Sequence, residues 1–367
     1  MEIFLILAVI FLAYSNGSND NFKGVATLLG SGTVNYRNAL LYGTFTTFLG
    51  SLTSLFLASE LVKNFSGKGL LPDQLILDPM FAAAIAGGAG LTVLIATIFG
   101  GPISTTHSLV GAMVGAGIAS SGMNINLHAL VWVFFYPLIA SPFLAAAITL
   151  LIYFLFRKVR TSQNLGPKSA LAITPTHSLR ASNKGSAFPH TLPSSLSSTH
   201  PEPSVKFIDR EMGGIPLRKL LDIGHYLSAG VVSFARGLND TPKIMGLLLI
   251  VPFLSKGEGL MLVAISMALG GLLHSRAVAN TMSHRITTMN HGQGMTANLV
   301  TGVLVTTASL HGFPVSTTHI SVGALLGIGT GTSQINRKVS ETILLSWLLT
   351  LPVAALLSAS LFWLLKI

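Results

Sequence analysis

The sequence contains no cysteine, which excludes disulfides, thiolate metal sites and thiol chemistry. It is also poor in charge: 9% of its 367 residues are Asp, Glu, Lys or Arg, against about a quarter in an ordinary soluble domain. Residues 79–156 run for 78 positions without one such side chain, and residues 286–336 for another 51. Half the residues are hydrophobic, and mean hydropathy is +0.67. A water-soluble core cannot absorb runs of that length, whereas a bilayer takes about 20 apolar residues per crossing helix. The composition defines an all-α polytopic membrane protein with room for about 10–12 transmembrane helices.

What charge there is falls unevenly. The formal net charge is +10, and ten of the 22 Lys and Arg lie between Arg157 and Lys219. In a membrane protein that clustering marks a cytoplasmic loop rather than a nucleic-acid surface. The N-terminus begins Met1-Glu2 with no basic residue before its apolar run, unlike a signal peptide. It reads as a first membrane helix with the N-terminus outside. The expected location is a plasma membrane or bacterial inner membrane, with lipid around the chain and no nucleic-acid partner.

Apolar segments lie near 2–15, 38–59, 79–100, 103–120 and 128–156, and resume near 217–235, 243–255, 259–275, 295–311, 315–330 and 342–365. Between them, residues 157–216 are rich in Ser, Pro, Thr, His and basic side chains. Such a composition cannot bury enough surface to fold alone, and a solvated, disordered linker is expected there. The chain thus divides into a first membrane repeat, 1–156, a linker, 157–216, and a second repeat, 217–367.

Two motifs recur in the same order in both halves. Gly17-Ser18-Asn19-Asp20-Asn21-Phe22-Lys23 matches Gly237-Leu238-Asn239-Asp240-Thr241-Pro242-Lys243, and Pro102-Ile103-Ser104-Thr105-Thr106-His107 matches Pro314-Val315-Ser316-Thr317-Thr318-His319. The second match continues through Val110, Gly111, Ala112, Gly115 and Gly117 against Val322, Gly323, Ala324, Gly327 and Gly329. The Asp-to-Pro separation is 82 residues in one half and 74 in the other, so one unit has been duplicated.

The Pro-x-Ser-Thr-Thr-His motif predicts a helix starting at the proline, where a missing N–H is harmless. Its first turn offers unpaired backbone N–H groups, the positive end of the helix dipole and the hydroxyls of Ser104, Thr105 and Thr106. Ser316, Thr317 and Thr318 repeat this, so two such openings facing each other enclose a tetrahedral oxyanion. The following glycines are read as close helix packing. His107 and His319 are structural residues or proton handlers.

Asp20 and Asp240 stand at breaks in apolar segments. A carboxylate inside a membrane protein is a functional candidate, because burying its charge costs at least a few kcal/mol. The plainer reading makes each an N-cap paired with the Lys one turn on, Lys23 or Lys243. A multivalent anion cannot approach two carboxylates unless cations accompany it. The pair therefore suggests coupling, with Na+ or H+ at Asp20 and Asp240 while the oxyanion binds.

These paired motifs around a polar central loop resemble the inorganic phosphate transporter (PiT) family, the sodium- or proton-coupled phosphate permeases. The resemblance covers about 1–156 and 217–366 and leaves out the linker. It implies a homodimer whose subunits each hold about twelve helices in inverted repeats with broken helices, with phosphate and coupling cations at the repeat interface. By motif position it assigns the substrate and cation ligands to Asn19, Asp20, Ser104, Thr105, Thr106, Asn239, Asp240, Ser316, Thr317 and Thr318. No cofactor is implied beyond the coupling ion. Many sodium-coupled members resemble N-D-x-x-N, whereas both halves here carry lysine, at Lys23 and Lys243, a departure that bears on sodium stoichiometry and raises proton coupling beside it.

Sulfate is the alternative substrate. It has no proton to donate at neutral pH, so acceptors at Asp20 and Asp240 favour phosphate. An intramembrane hydrolase using Ser104 or Ser316 with His107 or His319 is the rival from another class, but two equal copies suit a substrate shared between halves. A passive channel does not need the costly carboxylates, and nothing in the sequence marks a receptor. The expected mechanism is alternating access, the halves rocking about a central site with the glycine-rich helices as sliding surfaces.

Overall fold

The computed structural model describes residues 1–122, 124–162, 211–212 and 215–366. In the first half the helices are α1 (Glu2–Asp20), α2 (Ala26–Gly30), α3 (Tyr36–Leu57), α4 (Ser59–Phe65), α5 (Asp73–Ile76), α6 (Pro79–Ile98), α7 (Thr105–Ser121), α8 (Leu127–Ala129) and α9 (Tyr136–Ser162). A π-helical turn, Leu130–Phe135, joins the last two. The second half holds α10 (Leu217–Met245), α11 (Lys256–His274), α12 (Arg276–Asn280), α13 (His291–Leu310), α14 (Thr317–Thr332) and α15 (Arg337–Lys366).

The chain forms two units, one of residues 1–155 with 221–367 and one of residues 156–220. Most of the expected linker, 157–216, lies outside the described residues. Of its described part, 157–162 continue α9, and Glu211–Met212 pairs antiparallel with Ile215–Pro216.

The first unit is an inside-out fold. Large apolar side chains such as Phe56, Phe99, Leu348 and Trp363 point outward, while Asn, Asp, Lys, Arg, Ser and Thr side chains are buried. That is the distribution a bilayer selects. Among the described residues, six stretches are long and apolar enough to cross a membrane: α1, α3, α6, the α8–α9 stretch Leu127–Lys158, α11 and α15. Alongside them stand α7, α10, α13 and α14. Of these, α7 and α14 are only 17 and 16 residues long, about 25 Å at 1.5 Å per residue.

Local chemistry sets where the helices begin. Asn35 caps α3 by accepting from the Asn38 N–H, and Asp78 caps α6 through Met80 with Pro79 at the first helical position. Ser255 with Glu258 and Asn290 with Gln293 build capping boxes for α11 and α13.

The halves are interleaved rather than set side by side. Helix α1 packs on α11, where a Cβ at Gly17 would strike the Met267 backbone and one at Gly270 the Tyr14 backbone. Helix α10 packs on α3 in the same manner, Gly237 against Thr47 and Gly50 against Phe234. The glycines after each Ser-Thr-Thr-His run do the same: Gly111 and Gly115 meet Leu351 and Ala355 of α15, and Gly323 and Gly327 meet Pro142 and Ala146 of α9. Their packing role agrees with the sequence pattern.

Two expectations about helix boundaries are corrected. Neither second-motif helix starts at its proline: α7 begins at Thr105 and α14 at Thr317, with Ser104 and Ser316 as extended N-caps. And although α1 does stop at Asp20, α10 runs unbroken through Asp240 and Pro242 to Met245. Neither aspartate is an N-cap, since one ends a helix and the other lies inside one.

Candidate functional site

The two broken stretches, 99–104 and 311–316, meet at the centre of the first unit. Each turns on a glycine in the left-handed region, Gly100 (φ 69°) and Gly312 (φ 72°). The asparagines of the first motif hold these stretches. Asn19 donates to the Gly101 carbonyl and Thr97 hydroxyl, both at 2.9 Å, and accepts from the Ile103 N–H at 3.2 Å. Asn239 donates to the Val315 carbonyl at 3.3 Å and accepts from Ser309 at 3.1 Å. Ser309 stands five residues before its proline, as Thr97 does, so the duplication extends to the support of the break.

Beyond each break the N-cap serine accepts from a backbone N–H, His107 to Ser104 at 3.1 Å and His319 to Ser316 at 3.2 Å. The serine hydroxyls are thus engaged in starting the helices. The first helical N–H groups, at Thr105, Thr106, Thr317 and Thr318, have no acceptor within their own helices.

The threonines cross between halves. Thr106 donates to the Val315 carbonyl at 3.2 Å, and Thr318 to the Ile103 carbonyl at 2.7 Å. The lysines follow the same exchange. Lys23 pairs with Asp20, donates to the Ile103 carbonyl at 2.7 Å and reaches the Thr318 hydroxyl of the other half. Lys243 lies 3.4 Å from Asp240, 2.7 Å from the Val315 carbonyl and 2.8 Å from the Thr106 hydroxyl.

Two residues outside the identical motif positions complete the centre. The Asn16 amide donates to Asp20 at 3.2 Å, to Asp240 at 3.4 Å and to Thr105 at 3.0 Å, so one side chain bridges both carboxylates. Arg236 donates to Asn16 at 3.0 Å, Thr47 at 3.3 Å and Asn21 at 3.4 Å, and its Nε lies 3.7 Å from Asp240. Both stand immediately before the glycine of their motif, so Asn16 and Arg236 are repeat equivalents of different chemistry. They share a position in the repeat without sharing an identity, so the repeated motif does not mark them.

Asp20, Lys23, Arg236, Asp240 and Lys243 are each at most 3% exposed. Among the described residues, these are the buried carboxylates and the buried Lys and Arg side chains. Three cations face two carboxylates, which leaves one positive charge in excess in a water-poor centre. A charge there is expensive unless paired.

His107 and His319 face each other beside this centre, with ring centroids 4.4 Å apart at 76°. His319 also lies over Trp347 at 3.8 Å, and its Nδ1 is 3.1 Å from the Leu138 carbonyl. The buried Nδ1 of His107 and Nε2 of His319 have no hydrogen-bond partner. Each N-cap serine hydroxyl accepts from the backbone N–H, not the ring, of the histidine three residues on.

Buried charge between two interrupted helix starts, in an apolar-surfaced helical bundle, is the architecture of a membrane transporter. The sequence pattern of the phosphate transporter family matches residues 16–358, and the chain belongs to that family. A phosphate permease named in Thermococcus kodakarensis is 27% identical, covering 100% of this chain and 99% of that one. The chloroplastic inorganic phosphate transporter 2-1 of Arabidopsis thaliana is also 27% identical, over 96% of this chain and 70% of its own length. A solved structure of a sodium-dependent phosphate transporter shares the fold, with TM-score 0.77 and 24% identity, covering 100% of this chain and 98% of that one. The chain is a membrane transporter of phosphate and not an enzyme.

Proposed function

We propose that this chain moves inorganic phosphate by cation-coupled symport, with H+ or Na+ as the coupling ion, through alternating access to the buried centre. The observation that carries this reading is the single excess positive charge between the starts of α7 and α14. Thr105, Thr106, Thr317 and Thr318 supply hydroxyl and N–H donors to the oxyanion. Ser104 and Ser316 fix those helix starts, and Asn19 and Asn239 hold the stretches leading into them. Asp20 and Asp240 answer to the coupling ion and accept from a protonated phosphate, with Lys23 and Lys243 as their charge partners. In the proton-coupled form of the reading, His107 and His319 handle the proton.

The interleaved packing of equivalent helices supports an inverted relation of the halves, which rock on the glycine-lined contacts of α7 with α15 and α14 with α9. The same reading has a homodimer in a plasma or bacterial inner membrane, with the N-terminus outside, the linker cytoplasmic and lipid around the apolar surface. Phosphate binding to the purified protein tests it. Arg236→Leu removes the excess charge, and losing a charged partner worth about 1.5–3 kcal/mol is expected to weaken phosphate binding by about ten- to a hundredfold. Unchanged phosphate affinity in that variant, confirmed as folded by its elution and melting profile, would contradict the assignment.

A further inference from the structure

We propose that the ammonium groups of Lys23 and Lys243 are tethered counter-cations standing where coupling Na+ ions would bind, so that phosphate transport by this chain is independent of sodium. The inference rests on the phosphate-transport reading above and decides between its two coupling ions.

Oxygen atoms surround each ammonium. Lys23 Nζ is met by a carboxylate oxygen of Asp20, the Ile103 carbonyl and the Thr318 hydroxyl. Lys243 Nζ is met by a carboxylate oxygen of Asp240, the Val315 carbonyl and the Thr106 hydroxyl. Both sets are all oxygen, with one carboxylate, one carbonyl and one hydroxyl each, and hard cations take such donors. In each the carbonyl comes from an unwound stretch next to a helix start, the backbone feature that holds Na+ in transporters with interrupted helices. An ammonium has three N–H donors, and here each one has an oxygen partner. The ammonium therefore occupies the donor set that a sodium ion would need.

Charge leads to the same conclusion. The two lysines neutralise Asp20 and Asp240, and among the described residues the remaining buried positive charge is Arg236. That single charge matches an incoming anion. Two sodium ions added to this centre would bring a threefold excess into a space closed to water, and no further carboxylate is buried among the described residues to offset it.

Covalent attachment then separates these cations from ions in solution. A lysine crosses the membrane with neither substrate nor gradient, so its charge stays with the protein while the anion moves, and the driving ion becomes the proton. Each lysine also joins the aspartate of its own half to the helix start of the other, so phosphate oxygens compete with Thr106 and Thr318 for the same N–H groups. Anion arrival thereby loosens the contacts that tie the halves together.

The test uses the full chain, purified and then reconstituted. Its thermal midpoint is measured without phosphate, in NaCl and in choline chloride at equal ionic strength. The wild type is expected to show no sodium-specific shift. Lys23→Ala with Lys243→Ala is expected to gain one of about 3 °C at a hundredfold excess of Na+ over its Kd. Where the double variant does not fold, the single variants Lys23→Gln and Lys243→Gln are measured in the same way, each vacating one set. In proteoliposomes, wild-type phosphate uptake is expected at equal rates in the two salts at fixed pH.

A sodium-specific midpoint shift in the wild type, or uptake that rises fivefold or more with Na+, would overturn the inference. Absence of phosphate uptake in both salts would instead remove the transport reading. The sodium dependence of the wild-type midpoint still decides the cation question in that case.

Discussion

Asp20 and Lys23 show how a buried pair behaves at the scale of single residues. Both are almost wholly buried and each is the other's charge partner. Removing one member of such a pair costs about 3–5 kcal/mol, because it strands the other, whereas replacing both with apolar residues of similar volume costs far less. Asp20→Leu or Lys23→Met alone should therefore lower the thermal midpoint more than the double substitution does, and a double-mutant cycle reads the coupling directly. Additive losses would show that Lys23 is held by Ile103 and Thr318 rather than by Asp20. Arg236 shows why part of the centre was hidden in the sequence. It differs from its repeat equivalent Asn16, and its significance rests on the charge balance of five side chains drawn from both halves.

For the helical elements, glycine contacts define what each helix can lie against. A Cβ at Gly115 would fall on the Ala355 backbone, with no flexible side chain to give way. Gly115→Val should accordingly cost at least the 1–3 kcal/mol typical of overpacking and reduce the yield of monodisperse protein. Gly257→Ala, in the first turn of α11 with open space around it, is the control expected to behave as wild type. Normal yield and melting for Gly115→Val would mean that α7 and α15 do not pack this closely.

Element boundaries were less legible than element positions. The apolar segments near 79–100, 103–120, 295–311 and 315–330 correspond to α6, α7, α13 and α14. Proline placed the interruptions, yet the helices start three residues later. The local pattern of Pro102 fits a first helical residue, but the distant Asn19 amide grips both Gly101 and Ile103 and holds the stretch extended. Similarly, one motif ends a helix at Asp20 and lies within a continuous helix at Asp240, so neighbours in space decide what the shared motif leaves open.

Residues 1–155 and 221–366 form two copies of one pattern with their helices exchanged: α1 on α11, α10 on α3, α7 on α15 and α14 on α9. The duplication was readable because both motifs recur in order, whereas the exchange of partners has no signature in a single chain. The inverted relation proposed for the halves can be measured cleanly because the chain has no cysteine. Ser121→Cys and Ser333→Cys sit at the equivalent ends of α7 and α14. A membrane-impermeant maleimide should modify them from opposite faces, and modification of both from one face would contradict inversion.

The measurement that bears most directly on the central claim is uptake of radiolabelled phosphate into proteoliposomes holding the full chain. Na+ and pH gradients are imposed separately, with unlabelled sulfate as competitor. Phosphate should accumulate under the inward proton gradient with choline in place of sodium, and excess sulfate should leave most of that uptake intact. Failure to accumulate phosphate under either gradient, or transport of sulfate in its place, would contradict the account.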